Sequence, residues 1–549
     1  MDSLFKLDSL NGFIALAIIL FSLLTVIYSL RFMQGRRQIF QYYTYIICTA
    51  LASICAVLTN HLLLLLSAWG FLGLTLYLLI NMGAHDSDKV AKKTFIIIGG
   101  SDSLLLLGIG IIYCLTGTFQ MDKIKIFLPD NQLSLSLLAY LCIAIACFAK
   151  AGAMPFHSWI PDCAEAAPVP VVAFLPASLD KLLGIYLLAR ISLNLFAINP
   201  MIKMILMIIG AFTIVAAVMM ALVQHNMKKL LGFHAVSQVG YMVLGIASGN
   251  PIGIAGGIFH MLNHTVYKTC LFFTAGNVEY RTKTTELDEL GGLSKFMPLT
   301  YTACLIASLS ISGVPPFNGF VSKWMIYQGL ITQLQSGSYP LRVVGVLSLV
   351  AAMFGSGLTL ASFMKLIHAA FLGQRNNESK VKEVSWQMWL PAIILAAICI
   401  IFGVFATQIP LKYFIFPAIG EKASFSGSWD AVLSTSLIIA GLLFGLIIFR
   451  LKEIRPVIRR DKAFVGGEEI DLNTYAVTGT EFYNTVKEFG ALKYIYKKAE
   501  MGFFDIYEQG KTLVFAIGGF FQYLHNGVLP TYLVWTLLGM LGLFFVLMR

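Results

Sequence analysis

Charge is scarce in this chain. Only 12% of its 549 residues are Asp, Glu, Lys or Arg, against 58% hydrophobic, a balance that excludes a soluble globular protein. Metal-ligand patterns are missing too. Nine cysteines are scattered, mostly within apolar runs, with no CxxC and no Cys/His spacing. No iron–sulfur, zinc or haem site is readable, so no cofactor is expected in this chain and no electron transfer within it. The net charge of +11 does not point to nucleic acid, because the basic residues sit in loops between the apolar runs.

What the sequence has in abundance is runs of about 20 apolar residues, the length that crosses a bilayer as a helix. About fourteen are counted, near 10–31, 41–59, 61–82, 94–116, 134–151, 169–192, 202–223, 229–248, 253–276, 298–328, 341–372, 388–406, 429–450 and 528–548. The first is too long for a signal peptide, lacks a basic leader and opens a series of similar runs, so it is read as a retained span. With the N-terminus outside, about 20 Lys/Arg fall in inner loops and about 9 outside, which orients a multi-pass protein in the cytoplasmic membrane.

Two of these runs are interrupted alike, at GAMPFHSWIP (152–161) and GVPPFNGF (313–320). Proline removes an amide donor and clashes with the preceding turn, so both helices break near mid-membrane. Each broken run is the fourth of five when runs two to six and seven to eleven are grouped. Five is odd, so the second group inserts with opposite polarity, the pattern of an inverted repeat with a transport site at its interface. Two unrelated proline kinks are the alternative. The expected segments are a span at 1–40, repeats at 41–192 and 193–372, two spans at 373–450, a basic loop and amphipathic stretch at 451–527, and an anchor at 528–549. In the stretch, Phe482, Val486, Phe489, Leu492, Tyr496, Phe503 and Tyr507 recur at spacings of three, four or seven, as on one helix face. It is too polar to span and is placed along the inner surface; a peripheral helical hairpin is the alternative.

An ionisable group near the bilayer centre costs roughly 2.5–3.5 kcal/mol on insertion scales, so each is a functional candidate. Lys150 closes the first half of the first broken helix. Asp180 and Lys181 sit together in LPASLDKLLGIYLLAR, and Asp102 lies in IIIGGSDSLLLLG. His260, His264 and Lys268 stack at i, i+4 and i+8 on one helical face. Lys323 follows the second break, and Lys365 with His368 closes TLASFMKLIHAAF, near enough to a helix end to snorkel. His157, Glu165, His234, Lys365 and His368 are accessory candidates, while His225, Lys228 and Lys229 read as an inner loop. A lone His is more often a packing residue, but a stacked His–His–Lys face with lysines at both breaks is not explained by packing. Two such charges about 8 Å apart, at an effective dielectric near 20, interact by roughly 2 kcal/mol. Protonating one pushes the next proton onward, which makes the series a candidate proton wire.

At four ordered motifs the sequence resembles a known family: AKAGAMPFHSWIPDCAEAAPVPV, QHNMKKLLGFHAVSQVGYMVLG, FHMLNHTVYKTCLFFTAGNV and LSISGVPPFNGFVSKW. These resemble the antiporter-like proton-translocating subunits of respiratory complex I, Mrp-type sodium/proton antiporters and energy-converting membrane-bound hydrogenases. The hydrogenase branch is favoured, and the tail resembles the lateral helix of the distal subunit. The resemblance implies an all-α integral membrane fold with two broken helices, inverted five-helix repeats and a C-terminal lateral amphipathic helix. It implies that Lys150 is the central proton carrier of the first half, Lys181 a connecting lysine, His260–His264–Lys268 the central relay and Lys323 the terminal lysine. Asp102 matches an acidic residue of the fourth span. It also implies partners: other membrane subunits and a peripheral redox arm carrying iron–sulfur clusters with a nickel–iron centre or flavin. The cargo is protons, with sodium as the alternative. A Mrp-type antiporter subunit is the rival reading, and a structural relic that conducts nothing is a second rival.

The sequence departs from the family pattern in two places. Where the family has Trp–Glu, Gly70 follows Trp69 on the third run of this chain, so the usual acid opposite Lys150 is missing; Asp102 or Asp180 is expected to replace it. The first apolar run matches the family's third span, which leaves two helices to be supplied elsewhere or lost.

Overall fold

The computed structural model describes residues 4–83, 86–129, 134–373, 381–420, 431–450 and 479–548. Helices account for nearly all of it. In chain order they are α1 (Ser9–Phe32), α2 (Ile39–Leu58), α3 (Leu62–Ile80), α4 (Ser87–Thr116), α5 (Leu135–Ala151), α6 (Trp159–Ala166), α7 (Val169–Phe174) and α8 (Asp180–Arg190). Then come α9 (Pro200–Leu222), α10 (Met227–Ala247), α11 (Pro251–Thr282), α12 (Pro298–Ser312), α13 (Asn318–Ser336), α14 (Tyr339–Ile367), α15 (Trp386–Val404), α16 (Phe416–Ile419) and α17 (Ala431–Arg450). Among the described residues the sheet content is one two-residue parallel pairing, Ile126–Phe127 with Phe196–Ala197.

Local sequence explains where the helices start. Asn199 and Asn250 each precede a proline, and each side chain caps its helix, accepting from Ile202 N and Gly253 N at 3.0 Å. An Asn cap followed by Pro satisfies one orphan amide and removes another. Asp8 caps α1 through Leu10 N and Asn11 N at 3.0 and 2.9 Å, and its carboxylate meets Arg190 at 2.7 Å.

Small residues set how closely the central helices pack. Gly210 of α9 and Gly240 of α10 meet backbone to backbone, and so do Gly245 of α10 and Gly257 of α11, whose Cα lies 2.5 Å from where a Cβ on Gly245 would sit. In lipid, where tails compete with apolar side chains, such close approach is what holds helices together. As a result α10 and α11 are buried for nearly their whole length, and they form the core.

Among the described residues ten helices are long and apolar enough to cross a membrane, and three apolar ones, Leu135–Ala151, Pro298–Ser312 and Leu433–Ile448, are shorter. The expectation was about fourteen spans. The four that differ are α5 and α12, which are cut short by their breaks, α11, which carries His260, Asn263, His264 and Lys268, and α17, whose apolar part Leu433–Ile448 is shorter.

The chain divides into two compact units, residues 1–489 and 490–549. In the second, α19 (Gly490–Glu500), α20 (Ile506–Leu524) and α21 (Leu529–Leu547) follow one another, and α21 is long and apolar enough to span. The expected single face from Phe482 to Tyr507 is divided. Phe482 lies in a 3-10 turn (Gly479–Tyr483), Val486 in α18 (Asn484–Glu488), Phe489 is extended, and a further turn falls at Gly502, where φ is +73°. A periodicity of three and four survives such turns because spacing does not register a change of axis. The basic stretch at 451–478 lies outside the described residues.

Candidate functional site

Both broken helices end the same way. Gly152 and Gly313 adopt φ of +81° and +79°, a region that favours glycine, and each is followed by a cis X–Pro bond, Met154–Pro155 and Pro315–Pro316. Each break leaves carbonyls of the last turn without helical partners. At the first, Trp159 Nε1 donates to Ala149 O at 3.0 Å and Lys181 Nζ donates to Ala151 O. At the second, Lys323 Nζ donates to Ile311 O at 2.9 Å. A lysine therefore satisfies the opened end of each helix.

Asp180 and Lys181 reach their places through a π turn at Leu175–Leu179 between α7 and α8. Pro176 has no amide to donate and crowds the preceding turn, so the helix widens locally, and Ser178 Oγ donates to the Ala173 carbonyl at 3.0 Å. Lys150 Nζ lies 3.7 Å from Asp180 Oδ1, and both side chains are buried. Among the described residues neither group makes a hydrogen bond. The acid opposite Lys150 is thus Asp180. Gly70 lies at the exposed side of α3, and a Cβ there would meet nothing within 4 Å. Asp102 is half-buried beside Gly73 and within electrostatic range of Lys150.

The α11 face is wholly buried. His260 Nδ1 pairs with Ser322 Oγ at 2.9 Å and Nε2 with Gln238 Oε1 at 3.2 Å. Neither nitrogen of His264, nor Lys268 Nζ, has a hydrogen-bond partner among the described residues. The electrostatic neighbours form one series: Asp180 with Lys150 and Lys181, Lys181 with Lys268 and His264, His264 with His260, and His260 with Lys323.

Sequence reasoning missed the aromatic rings under these cations. Lys150 stands 5.6 Å over Trp69, Lys181 5.9 Å over Trp159, Lys268 5.7 Å over Phe363 and Lys323 4.6 Å over Tyr241. A ring face attracts a desolvated ammonium by about 2 kcal/mol, which partly replaces the acid that most of these lysines lack. Trp159 lies within the first break motif, but Trp69, Tyr241 and Phe363 are brought in by other helices. Also missed was the neutral network at the second break, where Asn318 Nδ2 donates to Asn263 Oδ1 at 2.9 Å and Ser310 donates to Asn318.

The accessory candidates separate. His234 is buried, with Nε2 2.7 Å from Ser362 Oγ. Lys365 does not snorkel: it is buried and donates to Leu222 O and Gln224 O at 2.8 and 2.7 Å. Glu165 pairs with Lys229 at 3.0 Å in an exposed ion pair, apart from the buried series. His157 is buried on the first break, and His368 is exposed at the end of α14.

Buried cations on broken helices inside an apolar bundle mark a helical membrane protein with a candidate ion path through its core. Residues 59–351 match the model of the NADH:quinone oxidoreductase/Mrp antiporter transmembrane family, and the chain belongs to that family. It is 31% identical over 401 residues to Na(+)/H(+) antiporter subunit A1 of Staphylococcus epidermidis, covering 70% of this chain and 50% of the relative. The chain thus spans about half the length of the curated relatives it matches. The archaeal membrane-bound sulfane sulfur reductase (MBS), a respiratory membrane complex, contains a chain of similar fold: TM-score 0.79, 22% identity, 98% of this chain and 89% of that one. A chain of the Mrp complex from Dietzia sp. matches with TM-score 0.67 and 22% identity over 75% of this chain and 84% of that one.

Proposed function

We propose that this chain is the proton-translocating subunit of a membrane-bound redox complex, an energy-converting hydrogenase or a related respiratory reductase. The carrying observation is the set of wholly buried groups between the two breaks: Lys150 3.7 Å from Asp180, then Lys181 and Lys268, then His264 and His260 joined through Tyr267, and His260 and Lys323 sharing the Tyr241 ring. In this reading Lys150 holds a proton against Asp180. Movement of α8 shifts the acid's field between Lys150 and Lys181, and the α11 face passes the proton to Lys323. Iron–sulfur clusters with a nickel–iron centre or flavin belong to a peripheral arm of partner subunits. A respiratory complex is favoured because the MBS likeness covers 98% of the chain, including the C-terminal unit, whereas the Mrp likeness covers 75%. The basic loops and the residues from 451 onward face the cytoplasm in this scheme.

The second reading, a subunit of a Mrp-type sodium/proton antiporter, draws on the names of the curated relatives. Purifying the complex separates the two. Copurifying metal- or flavin-bearing subunits support the redox reading; small membrane partners alone overturn it. Lys150→Ala and Lys323→Ala test translocation itself, and an unchanged gradient in both sinks it in favour of a structural relic.

A further inference from the structure

A second group of titratable side chains lies where α9 ends and α10 begins, outside the buried series but in contact with it. Lys365 is buried and held by the Leu222 and Gln224 carbonyls. Ser362, one helical turn earlier on α14, is hydrogen-bonded to His234 Nε2 at 2.7 Å. The His234 ring packs 4.7 Å from Phe363, the same ring that lies 5.7 Å under the Lys268 ammonium. His234 Nδ1 is buried and has no partner among the described residues.

Next to Gln224, His225 Nδ1 meets Asp288 Oδ2 at 2.8 Å, both half-exposed. Glu286 is held beside them by Asn226 Nδ2 at 2.7 Å. This surface pair is covered by residues 479–483. Thr480, 1% exposed, donates to Asp288, and Tyr483 Oη donates to Ala361 O at 3.1 Å. Gly479 presses on His368 so closely that a Cβ would fall 2.7 Å from Nδ1.

We propose that this is a second proton port, resting on the translocation reading above. Lys365 is its buried carrier, His225–Asp288 its surface acid–base pair, and residues 479–483 its cover. A proton accepted by the surface pair passes to the Lys365 amine. The ammonium gives it through the Ser362 hydroxyl, with water spanning the turn, to His234 Nε2; His234 releases the Nδ1 proton in exchange, and water beside the Phe363 ring carries that proton to Lys268. The acidic loop at 286–289 concentrates cations at the mouth, and the port feeds the second half of the bundle without crossing Lys150.

Lys365→Arg in the full chain and the whole complex tests the carrier. Arginine keeps the charge and the donors that cap Leu222 and Gln224 but does not release a proton. The variant should assemble at the parent level and lose gradient formation by about tenfold or more; parent-level transport overturns the port. If Lys268→Ala is also silent, the translocation reading falls with it, so the two failures are distinguishable. Water access is read separately. Ser362→Cys should react with a charged thiol reagent applied from the face bearing the basic loops, above the background of the parent chain. Thr480→Val should speed that reaction by loosening the cover, because it removes the hydroxyl that donates to Asp288. No reaction from that face removes the port, and an unchanged rate in the Thr480 variant removes the cover.

Discussion

The two helix breaks share a backbone and differ in charge. Each has a glycine near φ +80°, a cis X–Pro bond and a lysine on an opened carbonyl. Counting from those glycines, however, Lys150 in the first break corresponds to Ile311 in the second, and Lys323 in the second to Asp162 in the first. The first break therefore holds an ion pair, Lys150 with Asp180, and its Asp162 turns to Lys93 at 2.7 Å. The second holds a lone lysine against Tyr241 and a neutral Asn–Ser network. A buried cation is tolerated in either setting, by an acid or by a carbonyl and a ring, but only the first setting gives the cation a charged partner on another helix.

The largest expected effect tests whether both breaks conduct. Lys150→Ala and Lys323→Ala should each lower gradient formation in reconstituted vesicles by about a hundredfold, the usual scale for removing a positioned proton carrier. Parent-level rates in one of them would mean that the two breaks are unequal in function as well as in charge.

Next, Asp180→Asn should damage the first break far more than Asp102→Asn. Removing one partner of a buried pair leaves an uncompensated charge worth about 3–5 kcal/mol, so transport through the first break falls. If both variants pump normally, neither acid is the counter-charge. Gly70→Glu should not rescue Asp180→Asn, because position 70 faces open space; restored pumping would show that α3 turns inward during turnover.

Smaller effects come from the backbone. Gly152→Ala and Gly313→Ala each impose about 1–2 kcal/mol of left-handed strain. Gly152→Ala should cost more, because its Cβ would overlap Ile160, whereas at Gly313 it would meet only the flexible Lys323 side chain at 3.0 Å. Thermal unfolding midpoints in detergent rank the two.

The smallest effect lies away from both breaks. Burial works to raise the Asp8 carboxyl, but the Arg190 guanidinium and the amides of Asn11 and Leu10 outweigh it and hold it below the usual range. A lowered carboxylate stabilises above its unfolded value near pH 3.8 and loses that contribution as pH falls through the folded value. Asp8→Ala should cost about 1 kcal/mol at neutral pH and flatten the acid limb of the unfolding curve.

Much of this was legible in the sequence. The apolar runs, both breaks and every member of the buried series were found there, since a charge inside a 20-residue apolar run has few bland explanations. Lys365 read as a snorkelling end residue because its distance from the helix terminus is a property of one helix, whereas its carbonyl partners belong to another. Glu165 read as part of the site because it follows the break closely, yet α6 turns it toward Lys229. The tail read as one face because periodicity does not see Gly502.

Composition and spacing by themselves determined that this is a helical membrane protein, where its helices break and which cations belong to the buried series between the breaks. Only tertiary structure decided what each cation faces. Asp180 rather than position 70 meets Lys150, and rings from distant helices lie under the lysines. The physical reason is that helix-forming and membrane-spanning tendencies are local sums over neighbouring residues. A counter-charge instead depends on which faces two helices turn to each other, and here glycine contacts such as Gly210 with Gly240 fix those faces.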